Sequence, residues 1–404
     1  MAISLIVLMV VGTFFSSALT NTTLLLATLL HLRGLVRGDL SIPTLDTPLK
    51  LYILAFLTST LFGFWPAYSF FYATELKRLL IPYLVTAPLA QSDRPAVHRF
   101  MILCAIVIGG TVTAAYAAYL RHFHSDMMPM AFSPTPTDMG ILLVLSLGVL
   151  AGPLLYCSRM SLPWRATLAA VGALHIYGIM LCRNRSVLIG LAVALSFTLA
   201  AKVVYRGMRY AMSRFIILAV VMIVGVMTLP DGLLQRYFKG LDVQSESTQY
   251  RIRIYPLVAK MTWDWMPFGI GRRNFVLAHE YYKKPGGVIA PHAHSNILNI
   301  SVELGILGLF SYLWIITSVI RRLLSSLRHP SRYNQAELGP IDEASIAAGL
   351  LQGFIAFHVA GFFIFNWGYS LPVSLMWVLV GLSFVDMSHQ SPGQATETAE
   401  ALII

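Results

Sequence analysis

The stretch PHAHSNILNISVELGILG, Pro291 to Gly308, begins as a polar loop and turns into an apolar helix that runs on to about residue 320. Two histidines, two asparagines and a glutamate crowd its entrance. With a helix starting near Ser295, Asn296, Asn299 and Glu303 fall within about 60° of one another around the axis. The opposite face carries Ser301, Gly305 and Gly308, small residues that let another helix approach closely. A helix this apolar, with its polar groups gathered at one end, reads as a membrane span with a polar threshold.

The rest of the chain agrees. Of 404 residues, 57% are hydrophobic and only 12% charged, a composition that a soluble chain of this length could not cover with polar surface. Apolar runs recur from Met1 to about Asp386, continuous rather than alternating, so the expected fold is an all-α polytopic membrane protein and not a β-barrel. Twelve spans are expected, at about 3–17, 19–33, 50–68, 71–90, 99–120, 139–157, 164–181, 186–204, 213–229, 297–320, 344–365 and 369–387. The first two are short, and 3–33 is alternatively one long tilted helix. The N-terminus lacks a basic leader region and a clear cleavage site, and reads as a retained first span.

Charge orients the bundle. The net charge of +11 argues little for nucleic acid, because the basic residues sit in short loops between spans. Loops after even-numbered spans hold Arg33, Arg37 and Lys50, then Arg94 and Arg99, then Arg159 and Arg165. Lys202, Arg206, Arg209 and Arg214 follow, and then Arg321, Arg322, Arg328 and Arg332. The positive-inside rule makes that side, and both termini, cytoplasmic. The expected organisation is therefore spans one to nine in residues 1–229, an external loop with interfacial helices in 230–295, spans ten to twelve in 296–388, and a flexible cytoplasmic tail in 389–404.

Two basic groups break the rule on the external face. Arg183 and Arg185 occupy the tight turn CRNRS between spans seven and eight. The long loop carries Arg251 and Arg253 in SESTQYRIRIYPLVAKMTWDW, an amphipathic helix with Pro256 placed early, and Arg272 and Arg273 after a Pro/Gly turn. Each arginine is either merely solvated or a fork for phosphate oxygens at headgroup level. His294 is either a hydrogen-bonded neutral imidazole or a general base. Metal ligation by His292, His294 and Glu303 is disfavoured, because Glu303 lies two helical turns beyond the entrance. The polar face of Asn296, Asn299 and Glu303 either pairs with neighbouring helices or orients the site. Inside the spans, His175, His358 and Asn366 read as interhelical hydrogen-bonding groups. Three cysteines at different depths imply no disulfide framework. No P-loop or nucleophile elbow is present in the sequence, so ATP-driven and hydrolytic chemistry lack support.

Taken in order, CRNRSVLIG, RIRIYPLVAKMTWDWMPFGIGRRNF and HSNILNISVELGILG resemble the O-antigen ligase and polymerase superfamily. Within it the chain looks most like the lipopolysaccharide O-antigen ligases. That resemblance implies a multispanning inner-membrane glycosyltransferase with its active site facing the periplasm, needing no metal, nucleotide or other cofactor. Its donor would be O-antigen on undecaprenyl diphosphate and its acceptor a sugar hydroxyl of lipid A–core, with membrane lipids as its surroundings and no nucleic acid. The family's essential histidine carries over onto His294, with His292 the weaker candidate. The diphosphate-binding arginines carry over onto Arg185, Arg251 and Arg272, with Arg183, Arg253 and Arg273 as adjacent alternatives. An O-antigen polymerase needs the same groups. A lipid-linked glycan flippase would instead line a path through the bundle with charge.

Overall fold

The computed structural model describes residues 1–37, 40–124, 129–157, 160–207, 246–283, 289–328 and 342–385. The expected span at 213–229 and the tail at 389–404 lie outside the described residues. The described residues are helical, without a strand among them: α1 (Ala2–Phe15), α2 (Ser17–Leu30), α3 (Leu32–Arg37), α4 (Pro43–Phe62), α5 (Pro66–Phe71) and α6 (Ile81–Ala90) come first. They are followed by α7 (Pro95–Phe123), α8 (Pro136–Tyr156), α9 (Leu162–Leu181), α10 (Arg185–Arg206), α11 (Glu246–Asp264), α12 (Phe275–Tyr282), α13 (Asn296–Arg328), α14 (Glu343–Ala360) and α15 (Ser370–Ser383).

Six of these, α7, α8, α9, α10, α13 and α14, are long and apolar enough to cross a membrane. The described residues do not supply the twelve full spans expected. α1, α2 and α15 have 14 residues each, a length of about 21 Å against a hydrocarbon core of about 30 Å. The alternative of one helix over 3–33 also fails. Ser16 is extended, and its hydroxyl accepts the Leu19 N–H and so starts α2 afresh. The expected spans at 50–68 and 71–90 are broken for a different reason. α4 stops at Gly63, where the chain passes against the Ile270 carbonyl and the Phe64 N–H donates to it at 2.7 Å. A 3₁₀ segment, Tyr72–Leu80, then separates α5 from α6.

α8 and α14 form the centre and are buried along almost their whole length. They approach closely because Gly148 and Gly152 face Gly349 and Gly353, and a Cβ at any of these four would press on the facing helix. This is the small-residue spacing that lets helices pack by van der Waals contact where lipid offers no hydrophobic contrast. Polar groups inside the bundle are spent on interhelical bonds. His175 meets Ser146 Oγ at 3.1 Å, and His358 Nδ1 meets the Tyr312 hydroxyl at 2.9 Å. Asn366 donates to the Phe357 carbonyl at 2.7 Å. The three cysteines are not joined in disulfides.

The two ends of the bundle differ. At one, Arg99 of α7 grips Glu343 of α14 at 2.6 and 2.8 Å and the Leu382 carbonyl of α15 at 3.0 Å. At the other, the start of α8, the α9–α10 turn, the start of α13 and the α14–α15 connection surround one cavity.

Candidate active site

The site end is built on a broken helix. Within α13, Gly305 has φ 66° and ψ −163°, so the run Asn296–Leu304 is a separate half-helix. The break frees backbone groups, and the turn after α11 takes them up. Ile270 N–H donates to the Val302 carbonyl at 2.8 Å and Gly271 N–H to the Glu303 carbonyl at 3.0 Å. In return Ile306 N–H donates to the Pro267 carbonyl at 3.1 Å. Gly305 thus faces a loop at van der Waals range, not the neighbouring helix expected from its spacing. A Cβ there would collide with the Pro267 carbonyl, and the positive φ disfavours any side chain.

The same interlock decides the fate of Arg272 and Arg273. Arg272 donates from Nε and Nη2 to Glu75 Oε2 at 2.9 and 2.8 Å, and from Nη1 to Glu303 at 2.6 Å. Arg273 donates from Nε and Nη2 to Glu75 Oε1 at 2.9 and 2.7 Å, and also to the Gly368 carbonyl. Burial works against the Arg272 charge, but Glu75 and Glu303 outweigh it and raise the pKa above that of an ordinary arginine. Two guanidinium groups and two carboxylates therefore compensate one another, with Arg272 and Glu303 buried and Arg273 half-buried. Arg272 ties the turn to the half-helix through Glu303, Arg273 ties it to Glu75 and Gly368, and neither lines the cavity.

Asn296 and Asn299, on the same half-helix, organise the backbone. The Asn296 amide bridges Asn366 Oδ1 at 2.6 Å and the Trp367 N–H at 3.0 Å, and its own N–H donates to the Gly361 carbonyl at 2.7 Å. Asn299 Oδ1 accepts the Ala293 N–H at 2.9 Å. That bond ties down the residue immediately before His294.

The cavity itself has a volume of about 420 Å³. Its walls bring together Arg183 and Arg185 from the α9–α10 turn, Arg251 from α11, and both His292 and His294. Asn184 fixes the turn: its side chain accepts the Ser186 N–H at 3.0 Å, capping α10, and donates to Thr137 of α8 at 2.9 Å. Arg183 adopts φ 54°, which turns it off the end of α9. Arg251 presents a buried Nε with no hydrogen-bond partner among the described residues, a donor whose burial is costly until an acceptor arrives. Arg253, two residues on and so on the far side of the helix, is exposed. α11 is continuous through Pro256, which sits mid-helix and not in its first turn.

The His294 ring is held edge-on between His292, at a centroid distance of 4.3 Å, and Tyr250, at 5.5 Å. Burial, then the nearby Arg251, pushes His294 down to about 4. His292 is pushed down to about 3 by burial, then by His294, Arg273 and Arg251. Both rings are therefore neutral at pH 7 and can accept a proton. The opposite wall offers Thr137, Phe363, Ile364 and Tyr369. Among the described residues no group of three or more His, Cys, Asp and Glu could hold a metal ion.

Residues 168–313 match the family model described as O-antigen ligase. That stretch is similar to the family, and it spans about a third of the chain. No curated protein matches the chain. The matched region runs from within α9 to within α13, so it contains every histidine and arginine that lines the cavity, and Arg272 and Arg273. With its apolar helices, the chain reads as a multi-pass membrane protein. Three parts of the site fall outside the matched region: Glu75, Thr137 of α8, and Phe363 to Tyr369 beyond α14. Sequence reading missed all of them. Glu75 did carry a signal, since a carboxylate inside an expected span requires a cationic partner. Nothing in the sequence named Arg272 and Arg273 as that partner.

Proposed function

We propose that the chain transfers a saccharide from undecaprenyl diphosphate to a sugar hydroxyl of lipid A–core, at the periplasmic face of the inner membrane. One observation carries the reading: three arginines and a neutral histidine share the walls of one cavity. The acceptor hydroxyl oxygen attacks the anomeric carbon as the bond from that carbon to the diphosphate oxygen breaks. His294 takes the hydroxyl proton, and the lipid diphosphate leaves carrying the bonding electron pair. Arg183, Arg185 and Arg251 offset the negative charge that develops on the leaving group, where poor hydration strengthens their effect. A single in-line displacement inverts the anomeric centre.

In this reaction guanidinium groups do the charge neutralisation, so no metal or other cofactor is required. Arg272, Arg273 and Glu303 serve as the scaffold that sets the half-helix, and Asn296, Asn299 and His292 orient the loop. The periplasmic placement rests on the basic loops, which belong to the opposite end of the bundle. The flippase alternative is disfavoured because Arg99 at that opposite end is buried and committed to Glu343 and Leu382. A polymerase would use the same donor site with a second lipid-linked glycan as acceptor.

Reconstitution of the purified protein with lipid-linked O-antigen and lipid A–core tests the proposal. Glycan attached to the core supports the ligase, and elongation on the lipid carrier identifies a polymerase. Release of neither product, with donor moved across the bilayer, would overturn the transferase reading.

A further inference from the structure

Two successive N–H groups of the loop before α13 are captured by side chains rather than by backbone. Ala293 N–H goes to Asn299 Oδ1 at 2.9 Å, and His294 N–H goes to His292 Nδ1 at 3.2 Å. The second bond has a chemical consequence. A backbone N–H can only donate, so Nδ1 of His292 must carry a lone pair, and the ring proton of the neutral imidazole resides on Nε2. The same bond sits at a residue in an uncommon conformation: His294 has φ 52°, a region that side-chain-bearing residues enter only when their surroundings hold them there. The His294 ring is fixed on both sides as well, by His292 and by Tyr250.

We propose that His292 is a positioning residue: its Nδ1 holds the His294 backbone in the left-handed conformation, and that conformation aims the His294 imidazole at the reacting hydroxyl. This rests on the transferase reading above. It separates the two histidines of the H-x-H pair by role. His294 is the base, and His292 acts through it without exchanging a proton at Nδ1. Free of that bond, the backbone at His294 relaxes toward negative φ and carries the ring off line.

Asparagine and glutamine substitutions distinguish the two nitrogens. The Oδ1 of Asn lies where Nδ1 of histidine lies and can accept the same N–H, whereas the Gln amide reaches the Nε2 position. The experiment uses the full-length protein in lipid nanodiscs, with a lipid-linked saccharide and an acceptor for kinetics, and 15N-imidazole spectra for structure. His292→Ala and His292→Gln should each lose about 10²-fold in kcat with donor KM little changed, as expected for a misaimed base. His292→Asn should recover to within about tenfold of the unsubstituted protein. In the spectra, Nδ1 of His292 should be unprotonated. The His294 ring signals should shift in the Ala variant and stay in place in the Asn variant.

An Asn variant as impaired as the Ala variant would overturn the proposal. So would rescue by Gln in place of Asn, or a protonated Nδ1. An unsubstituted protein inactive with every lipid-linked saccharide would count against the transferase reading instead, and the ring signals would still decide the positioning claim.

Discussion

The two arginine groups at the site end of this bundle are alike in sequence and opposite in setting. Arg272 and Arg273 stand side by side in GIGRRNF, and both are held by Glu75, with Glu303 completing the set. Arg183, Arg185 and Arg251 line a cavity of about 420 Å³, and no ion pair to a carboxylate is seen for Arg185 or Arg251 among the described residues. The difference lies in what the fold places opposite each guanidinium. A buried arginine facing two carboxylates is a fastener, since its charge is already compensated. One facing an open cavity keeps its field for an incoming anion.

Substitutions should separate the two groups. Removing Glu75 leaves buried Arg272 with Glu303 alone and takes the carboxylate from Arg273, so Glu75→Ala should destabilise the protein by about 3 kcal/mol. Thermal unfolding in detergent or nanodiscs measures this, and a melting temperature equal to that of the parent would dissolve the contrast. Arg251→Ala should leave the melting temperature nearly unchanged and weaken donor turnover by about 10- to 100-fold, the worth of one or two charge-assisted hydrogen bonds. Loss of stability in that variant, with normal turnover, would move Arg251 into the fastener group.

Acidification sharpens the same point through the histidines. Their folded-state pKa values lie near 3 and 4, below the unperturbed value of about 6.5. The base therefore stays deprotonated as pH falls from 7 to 5, and kcat should be nearly flat across that interval. Stability runs the other way: the unfolded chain binds the protons that the folded rings refuse, so folding weakens as pH drops from about 6.5 toward 4. A kcat titrating with a midpoint near 6.5 would contradict the buried setting of His294. The smallest effect belongs to Arg253, which is exposed on the far side of α11. Arg253→Ala should alter neither melting temperature nor turnover by more than about 0.5 kcal/mol.

What the sequence made legible follows from which interactions are local. Apolar runs such as 99–120, 139–157 and 186–204, and the polar entrance before α13, are local patterns, and each appears in the fold. The turn CRNRS and the pair His292–His294 were recognisable because the residue types themselves carry the chemistry. The long-range facts were not readable. Glu75 reaches Arg272 across 197 positions, and Asn296 reaches Asn366 across 70. Gly305 illustrates the limit best. Its spacing from Ser301 and Gly308 suggested close helix packing, but it breaks the helix so that the Pro267–Gly271 turn can bond to the freed groups. A single sequence shows that a small residue is needed there and not what comes up against it. The boundaries expected at 50–68 were unreadable for the same reason, because the docking of that turn at Gly63 ends α4 early.

The proposed transfer turns on His294 as the base at a lipid-diphosphate site. The direct measurement is single-turnover transfer by purified His294→Ala protein, with donor binding and thermal unfolding followed in parallel. The expected result is a loss of about 10²- to 10⁴-fold in the transfer step, with donor binding and melting temperature retained. Transfer at a rate close to that of the parent would contradict it.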